Sequence, residues 1–258
     1  MPLRNIQPDQ YQHLLAEKSR LVTQLYSAFQ APAACVFASQ PLGYRMRAEF
    51  RIWHENDDLY YAMFAPEDRK LPRRIDHFPI ANPRIQAAMP ALRQALLESE
   101  VLRARLFQVN FLATLSGELL ITLIYHHRLD NDWEAAAQLL ESSLQTHIIG
   151  RSRGQKVIIS EDYLEEQLPL DDGEFRYRQH EGAFTQPNAG VNCAMINWAC
   201  QQAGGLGGDL LELYCGNGNF TLPLAGHFGA VLATEVAKSS INAALHNCQL
   251  NSVENLQL

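Results

Sequence analysis

Residues 209–235 restrict the possible folds of this 258-residue chain more than any other stretch. DLLELY is an apolar run of strand length, and Cys215-Gly216-Asn217-Gly218-Asn219 follows it at once. A helix is expected from Phe220. A second apolar run covers 230–235 and ends in Glu235, nineteen residues beyond Gly216. Glycines let the backbone turn sharply at the carboxyl end of a strand and come close to a ligand. Strands and helices alternating on this scale build a parallel sheet. An acid ending the second strand is placed to accept hydrogen bonds from both hydroxyls of a ribose. The segment therefore predicts a half-fold that holds a nucleoside.

Two cofactors suit such a half-fold, a dinucleotide and S-adenosylmethionine. The loop reads G-N-G-N-F and lacks the third glycine with which dinucleotide binders pack helix against strand; Phe220 stands nearby instead. S-adenosylmethionine has no pyrophosphate and needs no anion cradle. The plainer possibility is that the glycines only make a tight turn and Glu235 is solvated.

The rest of the chain has a different rhythm. Residues 9–29 carry apolar side chains at helical spacing, with Pro8 and Asp9 suited to the start. Residues 44–53 alternate, with Tyr44, Met46, Ala48, Phe50 and Ile52 on one face and Arg45, Arg47, Glu49 and Arg51 on the other. A returning strand is expected over 59–64. Arg69, Lys70, Arg73 and Arg74 follow on a connection containing Pro72. Asn82 and Pro83 read as the N-cap and first residue of a helix to Ser99, with Pro90 as a kink or break. A hairpin over 106–114 and 118–126, a helix over 130–144, and short strands over 147–150, 156–159 and 175–178 complete an α+β domain, assigned to residues 1–181. The pattern changes near Gly182. Residues 182–258 are expected to be the first part of an α/β Rossmann-like domain, with helices over 188–203, 220–228 and 238–250.

Charge and cysteine usage narrow the function. Residues 1–110 carry 14 Lys/Arg against 11 Asp/Glu, whereas 111–258 carry 7 against 17. The first half is thus the better candidate for meeting a polyanion, although ordinary surface variation gives the same count. The five cysteines (35, 193, 200, 215 and 248) form no C-x-x-C pair, so neither a disulfide framework nor a zinc or iron–sulfur site is expected. No apolar run has the length of a membrane span and no signal peptide is evident, which predicts a cytoplasmic protein.

Three segments together, RMRAEFRIWH (45–54), AFTQPNAGVN (183–192) and ELYCGNGNFTLPLA (212–225), resemble the bacterial tRNA (uracil-5-)-methyltransferases. The likeness runs from about Tyr11 to Leu258 and implies S-adenosylmethionine-dependent C5 methylation of the T-loop uridine of tRNA, and of tRNA-like RNA such as tmRNA, by a monomer. By position it implies cofactor contacts for Gln186, Tyr214 and Asn219, with Glu235 on the ribose. Gln186 has no such signal of its own and reads equally as a cap for the helix beginning near Asn188. With Gly216 and Gly218 these are the candidate cofactor residues.

RNA binding needs cations for phosphates and flat groups for unstacked bases, because a T-loop uridine must swing out before its C5 is reachable. Arg45, Arg47, Glu49 and Arg51 form one candidate face, with Phe107 and His126, and beside it His127, as candidate platforms. The resemblance points to Glu49, Arg51, Phe107 and His126. Each also has a plainer reading, as solvated strand face, core or surface. The family chemistry adds a cysteine thiolate to C6 and removes the C5 proton with a base. The resemblance places that cysteine, and a late glutamate, beyond Leu258, so the chain reads as C-terminally truncated, with no catalytic residue of its own and an open sheet edge. Cys215 stays a cofactor-loop residue, although a helix N-terminus could lower its pKa. The alternatives are a non-catalytic RNA-binding module and an rRNA uracil-5 methyltransferase. The latter is disfavoured because only Cys35 precedes residue 190.

Overall fold

The computed structural model describes residues 6–65 and 68–258, and the side chains of all of these except 68–70. Helix α1 (Tyr11–Tyr26) carries a single 3-10 turn at each end. It buries no residue completely, and Leu21, Val22, Leu25 and Tyr26 are exposed. The Tyr11 hydroxyl accepts a hydrogen bond from Ser39 N–H at 2.7 Å.

Strand β1 (Arg47–Glu55) keeps the expected alternation: Ala48, Phe50 and Ile52 are buried, while Arg47, Glu49 and Arg51 face away from the core. It starts later than residue 44. Arg45 lies ahead of it in two isolated bridges, to Ala81 and to Asn188. Met46 N–H donates to Pro187 O at 2.8 Å. Backbone pairing thus clips the RMRAEF segment to the FTQPN loop, more than 130 residues later in the chain.

Strands β2 (Asp58–Ala65) and β3 (Asp68–Arg74) extend the sheet. Arg73 and Arg74, expected on a connection, lie in β3. Pro72 is tolerated because β3 is the edge strand, where a missing N–H breaks no ladder. Helix α2 (Pro83–Glu98) runs through Pro90, and Asn82 caps it by accepting from Arg84 N–H at 2.8 Å. A short helix α3 (Glu100–Arg103), the hairpin β4 (Leu106–Ala113) with β5 (Leu119–Tyr125), helix α4 (Asn131–Leu144), β6 (His147–Ser152) and β7 (Gln155–Ile158) follow. The seven strands lie in the order β3-β2-β1-β4-β5-β6-β7, antiparallel except for β5 with β6, which α4 connects. One face packs against α2 and α4 through Phe50, Tyr61, Phe111, Met89, Leu92 and Trp133. The opposite face carries the arginines of β1.

A hairpin of β8 (Tyr163–Leu170) and β9 (Gly173–His180) comes next. The strand expected over 175–178 lies within β9, whereas β8 stands where no strand is expected from the sequence. In YLEEQLPL the buried positions are Leu164, Glu166 and Leu168, so a glutamate interrupts the apolar alternation. Then come α5 (Ala189–Ala203), β10 (Asp209–Leu213), α6 (Thr221–Ala225), β11 (Ala230–Thr234), α7 (Lys238–Leu250) and β12 (Leu256–Gln257). The last three strands pair in parallel in the order β10-β11-β12, as the alternation required. Leu211, Leu213 and Leu232 of this sheet are exposed. Helix α6 is shorter than expected and stops before Gly226.

Leu168 and Tyr177 of the hairpin share a second core with Ile196, Cys200, Leu222 and Cys248. Polar contacts reinforce it. Asn247 Oδ1 accepts from Arg178 N–H at 2.8 Å, and Asn251 accepts from Arg176 N–H at 2.8 Å while donating to Arg176 O at 2.7 Å. Asn247 of α7 and Asn251, which caps its C-terminus, thus satisfy the backbone along the edge of β9. Among the described residues no helix is long and apolar enough to cross a membrane.

Candidate functional site

A cleft of about 530 Å³ opens between β9, the loop over 181–189, the glycine loop and the start of α7. It gathers Gln186, Tyr214, Gly216, Asn219 and Glu235 from segments up to 49 residues apart. Gln186 does not cap α5. Asn188 does, accepting from Val191 N–H at 3.0 Å.

The loop is built in steps. Cys215 N–H donates to Thr234 O at 3.0 Å, which fixes the end of β10 against β11. Tyr214, Gly216 and Gly218 then take positive φ, at 60°, 60° and 87°. The two glycines answer different needs. A Cβ on Gly218 would lie 2.2 Å from Leu222 Cδ1, so this glycine lets α6 pack close. A Cβ on Gly216 would meet nothing within 4 Å; this glycine sits on the cleft wall. The second glycine thus performs the packing task that the missing third performs in dinucleotide loops.

Glu235 is bound to the loop. Its Oε2 accepts from Gly216 N–H at 3.1 Å, and its Oε1 accepts from Val236 N–H at 2.7 Å and Ala237 N–H at 2.9 Å. The amides of Ala237 and Val236, and then of Gly216, hold its pKa below the ordinary carboxylate value. It is an ionised acceptor at the mouth of the cleft. Asn219 exchanges two amide hydrogen bonds with the buried Asn192 of α5, at 2.9 and 2.8 Å. Its backbone carbonyl accepts from the Tyr177 hydroxyl at 3.2 Å.

Among the lining residues not expected at the site from the sequence, two stand out. Glu212 Oε2 and Thr185 Oγ1 are buried without a hydrogen-bond partner. Burial raises the Glu212 pKa. The signal for Glu212 was an acid inside the leucine run DLLEL. Cys215 also lines the cleft but is itself buried. Its thiol is pushed up to about 11, first by burial and then by Glu212 and Glu235. No helix opens at this cysteine: α6 is five residues long and begins six positions later.

A second, shallow cleft adjoins the first. Arg47, Glu49, Asn110, Thr122, Glu181 and Gly182 line it, and the last two line the larger cleft as well. The outer face of β1 therefore runs into the candidate cofactor site. Arg47 donates to Ala183 O. Arg51 and Phe107 stack, with the guanidinium 3.7 Å from the ring centroid, and His126 packs on Phe107 at 4.1 Å. Arg51 Nη1 has no hydrogen-bond partner. Glu49 pairs across the ladder with Asn110 and is exposed. Arg45 stands at the junction with Asn188. Arg74 is paired with Asp58 and Asp76, and the side chains of Arg69 and Lys70 lie outside the described residues. His127 is no free platform: its ring bonds Ala104 O and Arg128 O.

A parallel β–loop–α–β unit whose glycine loop is tied to an acid at the end of the second strand is the nucleoside-binding half of a Rossmann-like sheet. Residues 10–258 match the family model for tRNA (Uracil-5-)-methyltransferase, and the chain belongs to that family. It is 54% identical over 258 residues to a protein of Dechloromonas aromatica, covering all of this chain and 71% of that one. It is 52% identical over 258 residues to one of Aromatoleum aromaticum, covering 70% of it. Both are named tRNA/tmRNA (uracil-C(5))-methyltransferase. The chain thus spans about 70% of the length of these relatives. Among solved structures, Pyrococcus abyssi tRNA (uracil-54, C5)-methyltransferase in complex with S-adenosyl-L-homocysteine has the same fold. The TM-score is 0.71 at 16% identity, over 95% of this chain and 62% of that one.

Proposed function

We propose that this chain binds S-adenosylmethionine in the 530 Å³ cleft and presents it to the T-loop uridine of tRNA, or of tmRNA, for methylation at C5. The observation that carries the reading is the ionised Glu235 carboxylate tied to Gly216 at the cleft mouth. When bound, the cofactor supplies a methyl group on a sulfonium. Holding and orienting it falls to the chain's own residues. Glu235 accepts the ribose hydroxyls. Gly216 leaves the space in which the nucleoside approaches the backbone. Gln186, Tyr214 and Asn219 frame the ligand. Glu212, a partly buried carboxylate with an unpartnered oxygen, is matched to a cationic ligand, whose charge would restore its ionised form. No such acid beside the sugar site is needed by a neutral nucleoside.

The T-arm is bound by the outer face of β1 and β4. Arg45, Arg47 and Arg51 meet phosphates, Phe107 and His126 offer a stacking surface for an unstacked base, and Glu49 accepts hydrogen bonds from base edges. Residues 1–181 supply this face and 182–258 most of the cofactor cleft. Both are built within one chain, so a single protomer suffices. Cys215 holds the loop and is not the nucleophile. The cofactor site disfavours a purely RNA-binding module.

Calorimetric titration with S-adenosylhomocysteine tests the cofactor half. Saturable one-to-one binding is expected, weakened at least tenfold in Glu235→Ala. Absence of binding to the wild-type chain would overturn it. Filter binding tests the RNA half: a T-arm stem-loop should bind more tightly than an anticodon stem-loop, and equal affinities would remove the T-arm assignment.

A further inference from the structure

A second group of donors lies outside the lining of the cofactor cleft. Asp172 lies in the β8–β9 turn, Cys200 on α5 and His227 between α6 and β11. Their Oδ, Sγ and imidazole nitrogen atoms all lie within 4.8 Å of one another. None of the three lines the cofactor cleft. His227 Nε2 and Asp172 Oδ2 are already 3.2 Å apart. With bonds of about 2.0–2.3 Å, neighbouring ligands of a tetrahedral zinc ion are separated by roughly 3.3–3.8 Å. Small side-chain rotations would therefore close the three onto one ion.

We propose that Asp172, Cys200 and His227 form a transition-metal site, best matched to Zn²⁺, that staples the β8–β9 turn to α5 and to the link after α6. The donor set is one thiolate, one imidazole and one carboxylate. A soft sulfur beside a borderline nitrogen selects zinc or its neighbours over magnesium and calcium, which take all-oxygen shells. The ligands come from three separate elements, so an ion there would tie all three at a single point. Asp172 and His227 are partly open to water, which leaves the fourth position to solvent.

The surroundings hold the ligands in place beforehand. Asp171, next to Asp172, binds α5 through both carboxylate oxygens: Oδ1 accepts from Asn197 at 2.9 Å and Oδ2 from Gln201 at 3.4 Å. Its N–H donates to Asn197 Oδ1 at 3.1 Å. Asn197, Cys200 and Gln201 share one face of the helix. The clamp fixes the turn over Cys200 and presents Asp172, as outer-shell hydrogen bonds do in metal sites. Without an ion the arrangement is a partly exposed His–Asp pair above a buried thiol.

Cobalt(II) is a visible probe for this site. Added to the chelator-treated 258-residue chain, it should give a thiolate-to-cobalt charge-transfer band that saturates at one equivalent and is erased by Zn²⁺. The band should vanish in Cys200→Ala, and His227→Asn and Asp172→Asn should weaken cobalt binding at least tenfold. Cys35 is exposed, so Cys35→Ser should leave the band unchanged. The proposal is overturned by no band, or by a band that survives Cys200→Ala or disappears in Cys35→Ser. Should Cys200→Ala not fold, the two surface variants decide: cobalt affinity equal to wild type in both would overturn the site. Zn²⁺ should also raise the Tm of the wild type and not of His227→Asn.

Discussion

Asn192 and Asn219 face each other with their side-chain amides in register, each donating to the other's oxygen at 2.9 and 2.8 Å. The pair joins α5 to the glycine loop and uses the Asn219 amide that family resemblance assigns to the cofactor. Asn219 thus positions the loop first, and its remaining lone pair and N–H are what it can offer a ligand. Truncating Asn192→Ala leaves a half-buried amide without its partner, which costs about 1–3 kcal/mol. The expected result is a lower Tm together with weaker S-adenosylhomocysteine binding. A Tm drop with unchanged affinity would show that the pair serves the fold alone.

The two loop glycines should separate in the same assays. Gly218→Ala combines a positive φ with a Cβ 2.2 Å from Leu222 Cδ1. Backbone strain and overpacking together predict a loss of about 2–4 kcal/mol. Gly216→Ala pays only the backbone strain, about 1–2 kcal/mol, because nothing stands within 4 Å of its Cβ. Its expected cost falls on cofactor affinity instead. Equal melting temperatures for the two variants would contradict the division of roles.

What the sequence disclosed follows from range. The parallel β10–β11 unit and its loop were legible because the strand, the glycines and Glu235 lie within 27 residues, and spacing alone states their relation. The alternation of β1 was legible for the same reason. Strand β8 was not, because Glu166 occupies a core position and breaks the apolar period. Nor was the clip between Met46 and Pro187, or the pairing of Asn192 with Asn219, since no local pattern encodes a contact made only after folding. Gln186 was reached by resemblance alone. Glu212 was overlooked because one acid in a strand of leucines reads as an ordinary interruption.

Glu166 itself gives a pH signature. It is 1% exposed, and its carboxyl is raised from 4.5 to about 7, chiefly by burial; the amides of Leu115 and Gln167 oppose the rise and Glu118 adds to it. Between pH 4.5 and 7 the folded chain retains a proton that the unfolded chain has released. Stability from this group therefore falls as pH rises through that window and levels off above it, by an amount on the order of 3 kcal/mol. Glu235 acts oppositely, but only as the pH falls toward and below the ordinary carboxylate range. Glu166→Gln keeps an oxygen for the Leu115 and Gln167 amides and removes the charge. Urea denaturation between pH 5 and 8 should show the wild type losing stability and the variant staying nearly flat. Parallel slopes would rule out Glu166 as the source.

The stack of Arg51, Phe107 and His126 gives the sharpest test of the RNA face. Arg51 lies 3.7 Å over Phe107, yet its Nη1 lacks a partner, so the folded chain does not use all of its donors. Arg51→Ala gives up a cation–π contact worth about 0.5–1 kcal/mol but also removes a buried unpaired donor, so the Tm should hardly move. RNA binding should suffer more. Loss of one phosphate contact lowers T-arm affinity and reduces the salt slope by about one. Phe107→Leu removes a stacking surface worth about 1–3 kcal/mol per base and should leave the salt slope intact. Neither change should alter S-adenosylhomocysteine binding. Filter binding at several fixed salt concentrations separates the two effects, and wild-type RNA affinity in Arg51→Ala would exclude Arg51 from the interface.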